Sequence, residues 1–242
     1  MSTKQEQFEY EALSIMSQSV VPVGSSALSI LMRKAGLNIS AATIGRQLSD
    51  FDYSGMTTKH GFRGRTITES GRVRLAELRE KLKWQDLSAK FYKTLDVQTK
   101  DNLIDILTAR RGIEREIARL AAIKSTPSDI SLIREAFEMQ SEKAASGGLI
   151  FDSDLVFHRA VAAASKNEVL AAAYDFIWQN GKLSPVMEYI RMYVNGKIVI
   201  DHSKILSAIE ANSPQEAELL MVSHIESLID DVQQYWNLAM KG

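Results

Sequence analysis

The chain reads as mainly α, with an N-terminal winged helix-turn-helix followed by a C-terminal all-α helical bundle. Three observations predict this. Apolar residues recur at helical spacing over most of the length. A short Thr- and Ile-rich stretch at 56–68 is interrupted by two glycine-containing turns. From about residue 98 to the end, no strand pattern interrupts the helical one.

The elements follow in order. Residues 5–17 and 24–36 predict two short helices joined by a Val-Pro-Val-Gly turn at 21–24. Ser40 is a predicted N-cap for a third helix running to about Leu48, stopped by Asp-Phe-Asp-Tyr-Ser-Gly. Residues 56–58 and 65–68 predict the strands of a hairpin with Lys59-His60-Gly61-Phe62-Arg63-Gly64 at its tip. A helix then resumes near Thr68 and passes through Leu75, Leu78 and Leu82. Seven more helices are predicted at 99–124, 127–145, 149–165, 167–180, 184–194, 200–211 and 214–240. Thr126-Pro-Ser-Asp129 and Ser213-Pro-Gln-Glu216 each supply a hydroxyl N-cap, proline at the first helical position and an acid two residues later. Gly147-Gly148 marks a break. The predicted organisation is a DNA-binding domain at 1–83, a linker helix region at 84–98 and an effector domain at 99–242.

A chain of 242 residues has room for two ordinary domains. It has no cysteine, which excludes disulfides and thiolate metal sites. No run approaches the length of an apolar membrane span, and the polar N-terminus lacks a signal-peptide core, so a cytoplasmic protein with no membrane association is expected. Charge is unevenly spread. Residues 1–97 carry 14 Lys/Arg against 10 Asp/Glu, while residues 98–242 carry 15 against 20. A basic front and an acidic back predict that only the front meets a polyanion. The third helix, starting at Ser40, would expose Thr43, Arg46 and Gln47 to a major groove. The hairpin would offer Lys59, His60, Arg63 and Arg65 to phosphates or a minor groove. The plainer alternative is a small helical domain with a solvated basic hairpin.

The second half holds the chemistry. Asp154 and His158 are four apart and share a helix face with Leu155, Val161 and Ala162, with Phe151 on or beside it. His202 shares a stripe with Ile205, Leu206 and Ile209, and His224 one with Ala217, Leu220, Met221 and Leu228. A lone histidine on an apolar stripe is most often a core residue bonded to a carbonyl. Three of them, with a carboxylate four residues from one, point inward at a cost that a single divalent metal would relieve. An Asp/His₃ set suits zinc, nickel or manganese foremost, with iron(II) also open. Arg110 lies in the stripe Leu103, Ile106, Ile113, Ile117 and needs an anion. Either Glu114 is that partner, or Arg110 faces the metal cavity and holds an acidic ligand. Met187, Tyr189, Met192 and Tyr193 are candidates for either pocket lining or ordinary packing. No general base stands out and no catalytic residue is assigned, so an enzyme is not expected.

These residues carry a family resemblance. Leu107-Thr-Ala-Arg110-Arg-Gly-Ile-Glu114, Asp154-Leu-Val-Phe-His158-Arg-Ala-Val, Ala164-Ser-Lys-Asn167, Asp201-His202-Ser-Lys-Ile-Leu-Ser-Ala-Ile and His224-Ile resemble the FCD-type ligand-binding domain of GntR-family transcription factors. The resemblance spans about residues 98–242. It implies that Asp154, His158, His202 and His224 ligate a metal, that Arg110 and Asn167 sit near an organic-acid effector, and that the protein is a homodimer. The front half departs from the usual GntR head. Ser40-Ala-Ala-Thr-Ile-Gly-Arg46-Gln-Leu and Gly64-Arg65-Thr-Ile-Thr-Glu-Ser-Gly71 are more similar to the winged helix of nitrogen-repressor-type regulators and ribonuclease R. The expected function is a metabolite-responsive regulator that binds a palindromic double-stranded operator and a small carboxylate. The alternatives are a regulator for which the metal itself is the signal, a helical metal-dependent hydrolase with a DNA-binding head, and a purely structural histidine cluster.

Overall fold

The computed structural model describes residues 4–95, 97, 99–147, 151–178, 183–194 and 198–239. The chain divides into two compact units, residues 1–91 and 92–242.

In the first unit, α1 (Lys4–Gln18), α2 (Ser25–Lys34) and α3 (Ala41–Tyr53) precede an antiparallel hairpin of β1 (Thr57–Lys59) and β2 (Arg65–Ile67). The register pairs Thr57 with Ile67, Thr58 with Thr66 and Lys59 with Arg65. A single 3-10 turn, Gly61–Arg63, forms the tip. Phe8, Leu13 and Met16 from α1, Leu28 and Met32 from α2, and Ile44, Leu48 and Phe51 from α3 close one core with Leu75 and Leu78. Ser40 caps α3 as expected, its hydroxyl accepting from the Thr43 amide at 3.2 Å. The helix runs five residues beyond Leu48, because Phe51 extends the apolar stripe Ile44–Leu48 and is worth keeping helical. Only Ser54 and Gly55, the latter at φ +73°, end it.

Gly64 is the wing's constrained residue. Its φ is +116°, and a Cβ there would collide with the Val23 backbone. That close approach lets Val23 and Arg65 exchange two backbone hydrogen bonds of 2.8 and 3.0 Å, adding the α1–α2 connection to the hairpin's edge.

Helix α4 (Glu69–Thr94) continues unbroken into the predicted linker helix region as far as Thr94, since neither Gly nor Pro interrupts residues 72–94. Its final turn belongs to the second unit, where Tyr92 packs on Phe176 with ring centroids 4.9 Å apart.

The second unit holds α5 (Lys100–Lys124), α6 (Pro127–Ala145), α7 (Phe151–Ala164), α8 (Glu168–Trp178), α9 (Leu183–Val194), α10 (Ile198–Glu210) and α11 (Pro214–Ala239). Thr99 caps α5, and Thr126 with Asp129 forms a complete capping box on α6. Helices α5 and α11 make the most extensive pairing, with α7, α8 and α10 also against α5 and α9 against α11. The predicted break at Gly148, the helix ends at 149, 180 and 240, and the Phe151 side chain lie outside what is described. Among the described residues no helix is long and apolar enough to cross a membrane.

Gly64→Ala is expected to destabilise the first unit by at least about 2 kcal/mol. Hydrogen exchange at β1 and β2 checks this; wild-type protection in the variant would refute it.

Candidate metal centre

Three helices bring the four expected residues to one place. Asp154 and His158 project from α7, His202 from α10 and His224 from α11. All three imidazoles are at most 2 % exposed, and Asp154 is 9 % exposed. One ligand atom from each of the four lies within 4.8 Å of every other. Atoms bound to one ion at about 2.0–2.2 Å must themselves lie within roughly 4.4 Å of one another, so the cluster is close to that spacing.

Each outward nitrogen faces a polar partner. Nδ1 of His158 lies 2.6 Å from Oε2 of Glu114 on α5. Nδ1 of His202 lies 2.6 Å from Oε1 of Gln140 on α6. Nδ1 of His224 faces Oδ2 of Asp201 at 3.6 Å. Gln140 also directs its amide nitrogen to Asp154 Oδ1 at 3.4 Å, so its oxygen is the end that meets His202. An acceptor opposite Nδ1 favours the proton on that nitrogen, leaving Nε2 a lone pair. The Nε2 atoms then converge. That of His202 is 3.3 Å from its counterpart in His224 and 3.6 Å from Asp154 Oδ1, and that of His158 is 3.9 Å from the same oxygen. Three lone pairs and a carboxylate oxygen directed at one buried point repel unless a cation joins them, and this donor set fits a divalent metal.

The local electrostatics keep the groups in ligating form. Burial, with neighbouring His224 and His158, holds the His202 pKa well below the usual histidine range. Burial also lowers that of His224, against the opposing pull of Asp201. Burial alone would raise Glu114, but the Arg110 charge and then His158 reverse this and bring its pKa down to about 2. The rings also pack. Phe157 stacks on His202 at 4.2 Å and 11°, and Tyr174 lies over His158 at 6.1 Å and 21°.

Arg110 joins this network through Glu114. Its Nε donates to Glu114 Oε1 at 2.6 Å, with both side chains 1 % exposed. Its guanidinium lies 4.5 Å over the Trp178 ring. Among the described residues its Nη2 has no hydrogen-bond partner. The structure gives Arg110 its Glu114 partner, and Glu114 in turn faces a cluster histidine. Arg111 is partly exposed and pairs with Glu226 at 3.2 Å. Asn167, expected near the effector, caps α8 through its Oδ1, which accepts from the Leu170 amide at 3.2 Å. Of the α9 candidates, Met187 is buried in the core, whereas Tyr189, Met192 and Tyr193 are more than half exposed.

Glu114 as a histidine partner, Gln140, Asp201, Tyr174 and Arg191 were missed. Gln140 and Arg191 had a visible signal, each a polar residue on an apolar stripe, after Ile133 and Ala136 and after Met187 and Ile190 respectively. Asp201 adjoins His202 in the chain, yet its approach to His224 depends on how α10 meets α11.

In the first unit, Arg46, Lys59 and Arg63 are exposed, as the DNA reading requires. Ser40 and Thr43 share a hydroxyl contact of 3.0 Å at the start of α3, and Gln47 accepts from Gln5 at 2.6 Å. His60 is half-buried, its ring nitrogen 2.8 Å from the Thr66 hydroxyl. Arg65 corrects the expectation of an outward phosphate contact. It is 9 % exposed, and its Nε bonds both oxygens of Asp52 at 2.9 and 2.8 Å, tying β2 to the end of α3. Alternation along β2 puts Arg65 on the inner face.

Fold and site together define a winged-helix unit followed by an all-helical domain with a buried histidine–carboxylate centre. Residues 105–227 match the FCD domain, about half of the chain, and the protein belongs to the FCD-domain family. Residues 10–75 match the ribonuclease R winged-helix domain. Relatives include the Uxu operon transcriptional regulator of Escherichia coli K12, 27 % identical over 141 residues (55 % of this chain and 55 % of that protein). Another is the Exu regulon transcriptional regulator of the same strain, 33 % identical over 130 residues (51 % and 48 %). The chain thus matches about half the length of these relatives, which are regulators by name and not enzymes. Among solved structures, Streptococcus agalactiae GntR aligns with 93 % of this chain and 99 % of its own, at 18 % identity and a TM-score of 0.47. The resemblance to transcriptional regulators with an FCD domain, and to a ribonuclease R-type winged helix, is borne out by these matches.

Glu114→Gln would leave Arg110 buried without its counter-charge, and is expected to cost roughly 3–5 kcal/mol of stability. Urea unfolding checks this; a loss below about 1 kcal/mol would show the pair to be dispensable.

Proposed function

We propose that this protein is a metabolite-responsive, DNA-binding transcriptional regulator. Its helical domain holds one divalent metal, zinc, nickel or manganese, through Asp154, His158, His202 and His224, and takes up a small organic acid beside it. The observation that carries the reading is the convergence of three imidazole Nε2 atoms and one carboxylate, with their Nδ1 sides backed by Glu114, Gln140 and Asp201. Backing partners of this kind orient ligating histidines and fix their tautomers. The relatives' names as operon and regulon regulators support the regulatory role.

In this reading the residues divide the work. The four ligands fill part of a coordination sphere, and the ion supplies a Lewis-acidic contact for a carboxylate at the positions left open. Arg110, neutralised by Glu114 at Nε, keeps Nη2 for the acid. In the first unit, Arg46 on α3 reads the major groove, with Ser40, Thr43 and Gln47 beside it, while Lys59 and Arg63 on the wing grip phosphates. A two-fold dimer would read a palindromic operator with half-sites about 34 Å apart or a multiple of that. The acid changes DNA affinity only by its differential affinity for two conformations of the helical domain.

Elemental analysis of tag-free protein tests the centre. About one divalent ion per chain is expected in the wild type and none in His158→Ala. No metal in the wild type after incubation with zinc, nickel and manganese would remove the centre from the proposal. Arg46→Ala should weaken binding to operator DNA about tenfold or more, whereas His158→Ala should keep the metal-free affinity. Equal losses in the two variants would contradict this division of labour.

A further inference from the structure

Arg191 on α9 is a buried cation that the metal centre does not use. It is 4 % exposed, and its Nε donates to Asp231 of α11 at 2.8 Å. Among the described residues neither Nη1 nor Nη2 has a hydrogen-bond partner. A guanidinium offers those two groups as a planar fork matched to a carboxylate, and it cannot shed its charge to escape burial. Two unsatisfied amino groups on a buried, permanent cation therefore call for an oxygen-rich anion.

The partner of the fork and a cluster histidine share one helix. Asp231 follows His224 by seven residues on α11, two helical turns along the same face. The Arg191 charge is felt at His202, His224 and Asp201. Arg110 reaches the centre through Glu114, which contacts His158. The two arginines are built alike: each spends Nε on one carboxylate and keeps terminal nitrogen in reserve. Tyr174, whose buried hydroxyl is also without a hydrogen-bond partner among the described residues, lies beside the His158 end. The reserve groups at both ends are donors, and they differ in reach: one Nη2 on Arg110, a whole fork on Arg191.

We propose that the effector is a two-ended acid, with one carboxylate held at the His158–Arg110 end and a second on the Arg191 fork. This rests on the metal-and-acid reading of the centre and deepens it, making Arg191 the residue that selects dicarboxylates over monocarboxylates.

L-malate and L-lactate are matched probes, since malate carries a carboxymethyl group where lactate has a methyl. Calorimetric titration of the zinc-loaded full chain with each acid gives the test. Malate is expected to bind at least about tenfold more tightly than lactate, the scale of one charge-assisted contact. Arg191→Met should erase that preference, with lactate affinity kept within about twofold. Arg191→Lys, which retains the charge for Asp231 but not the fork, should reduce the preference part-way, and it carries the test if the methionine variant loses its helical circular dichroism. Equal affinity of the wild type for the two acids overturns the proposal, as does a preference for malate that survives in both variants. Lactate binding with zinc present and no malate preference would refute only the role of Arg191. Failure to retain zinc, with neither acid bound, would refute the centre itself.

Discussion

One carboxylate governs the helical domain. Glu114 is 1 % exposed and touches two cationic or proton-bearing partners at once, Arg110 through one oxygen and His158 through the other. Without Glu114, Arg110 would be a lone charge in the core, and His158 would be free to choose its tautomer. Without Arg110, the buried carboxylate would favour protonation and stop accepting from His158. A stability requirement of helix α5 is in this way converted into a positional requirement on α7. The same economy recurs at Gln140, which reaches Asp154 and His202 from α6 with the two ends of one neutral amide. Helices that would otherwise only pack on apolar contacts acquire a fixed polar register.

Much of this was legible in the residues. A histidine on each of three apolar stripes, with a carboxylate four before one of them, is a pattern that helical geometry alone turns into a convergent cluster. The hydroxyl–proline–acid starts and the Thr/Ile hairpin fixed most element boundaries to within a few residues. What escaped had a common cause. The backing residues act across helices, and their partners depend on which helices become neighbours. Glu114 was visible as the answer to Arg110 but not to His158, because i+4 spacing reveals the first and only the α5–α7 packing reveals the second.

The errors in the first unit were local competitions decided by packing. Asp50 to Tyr53 looked like a stop, yet Phe51 gains more from joining the stripe of Ile44 and Leu48 than the polar residues lose by being helical. Arg65 looked like part of a basic tip because composition does not show which face of a strand a residue occupies.

The Arg65–Asp52 tie has a consequence for recognition. Asp52 ends α3 and Arg65 begins β2, and Thr57 of β1 adds a 2.7 Å hydrogen bond to the same Asp52 oxygen. One carboxylate therefore rivets the exposed helix to both strands of the wing. A reading head assembled in this way arrives with its two arms at a set separation, and has little conformational freedom left to surrender on contact. On the proposed DNA reading its selectivity would lie in rigidity: a surface whose grooves do not match that separation would be refused, since the head cannot splay to meet it.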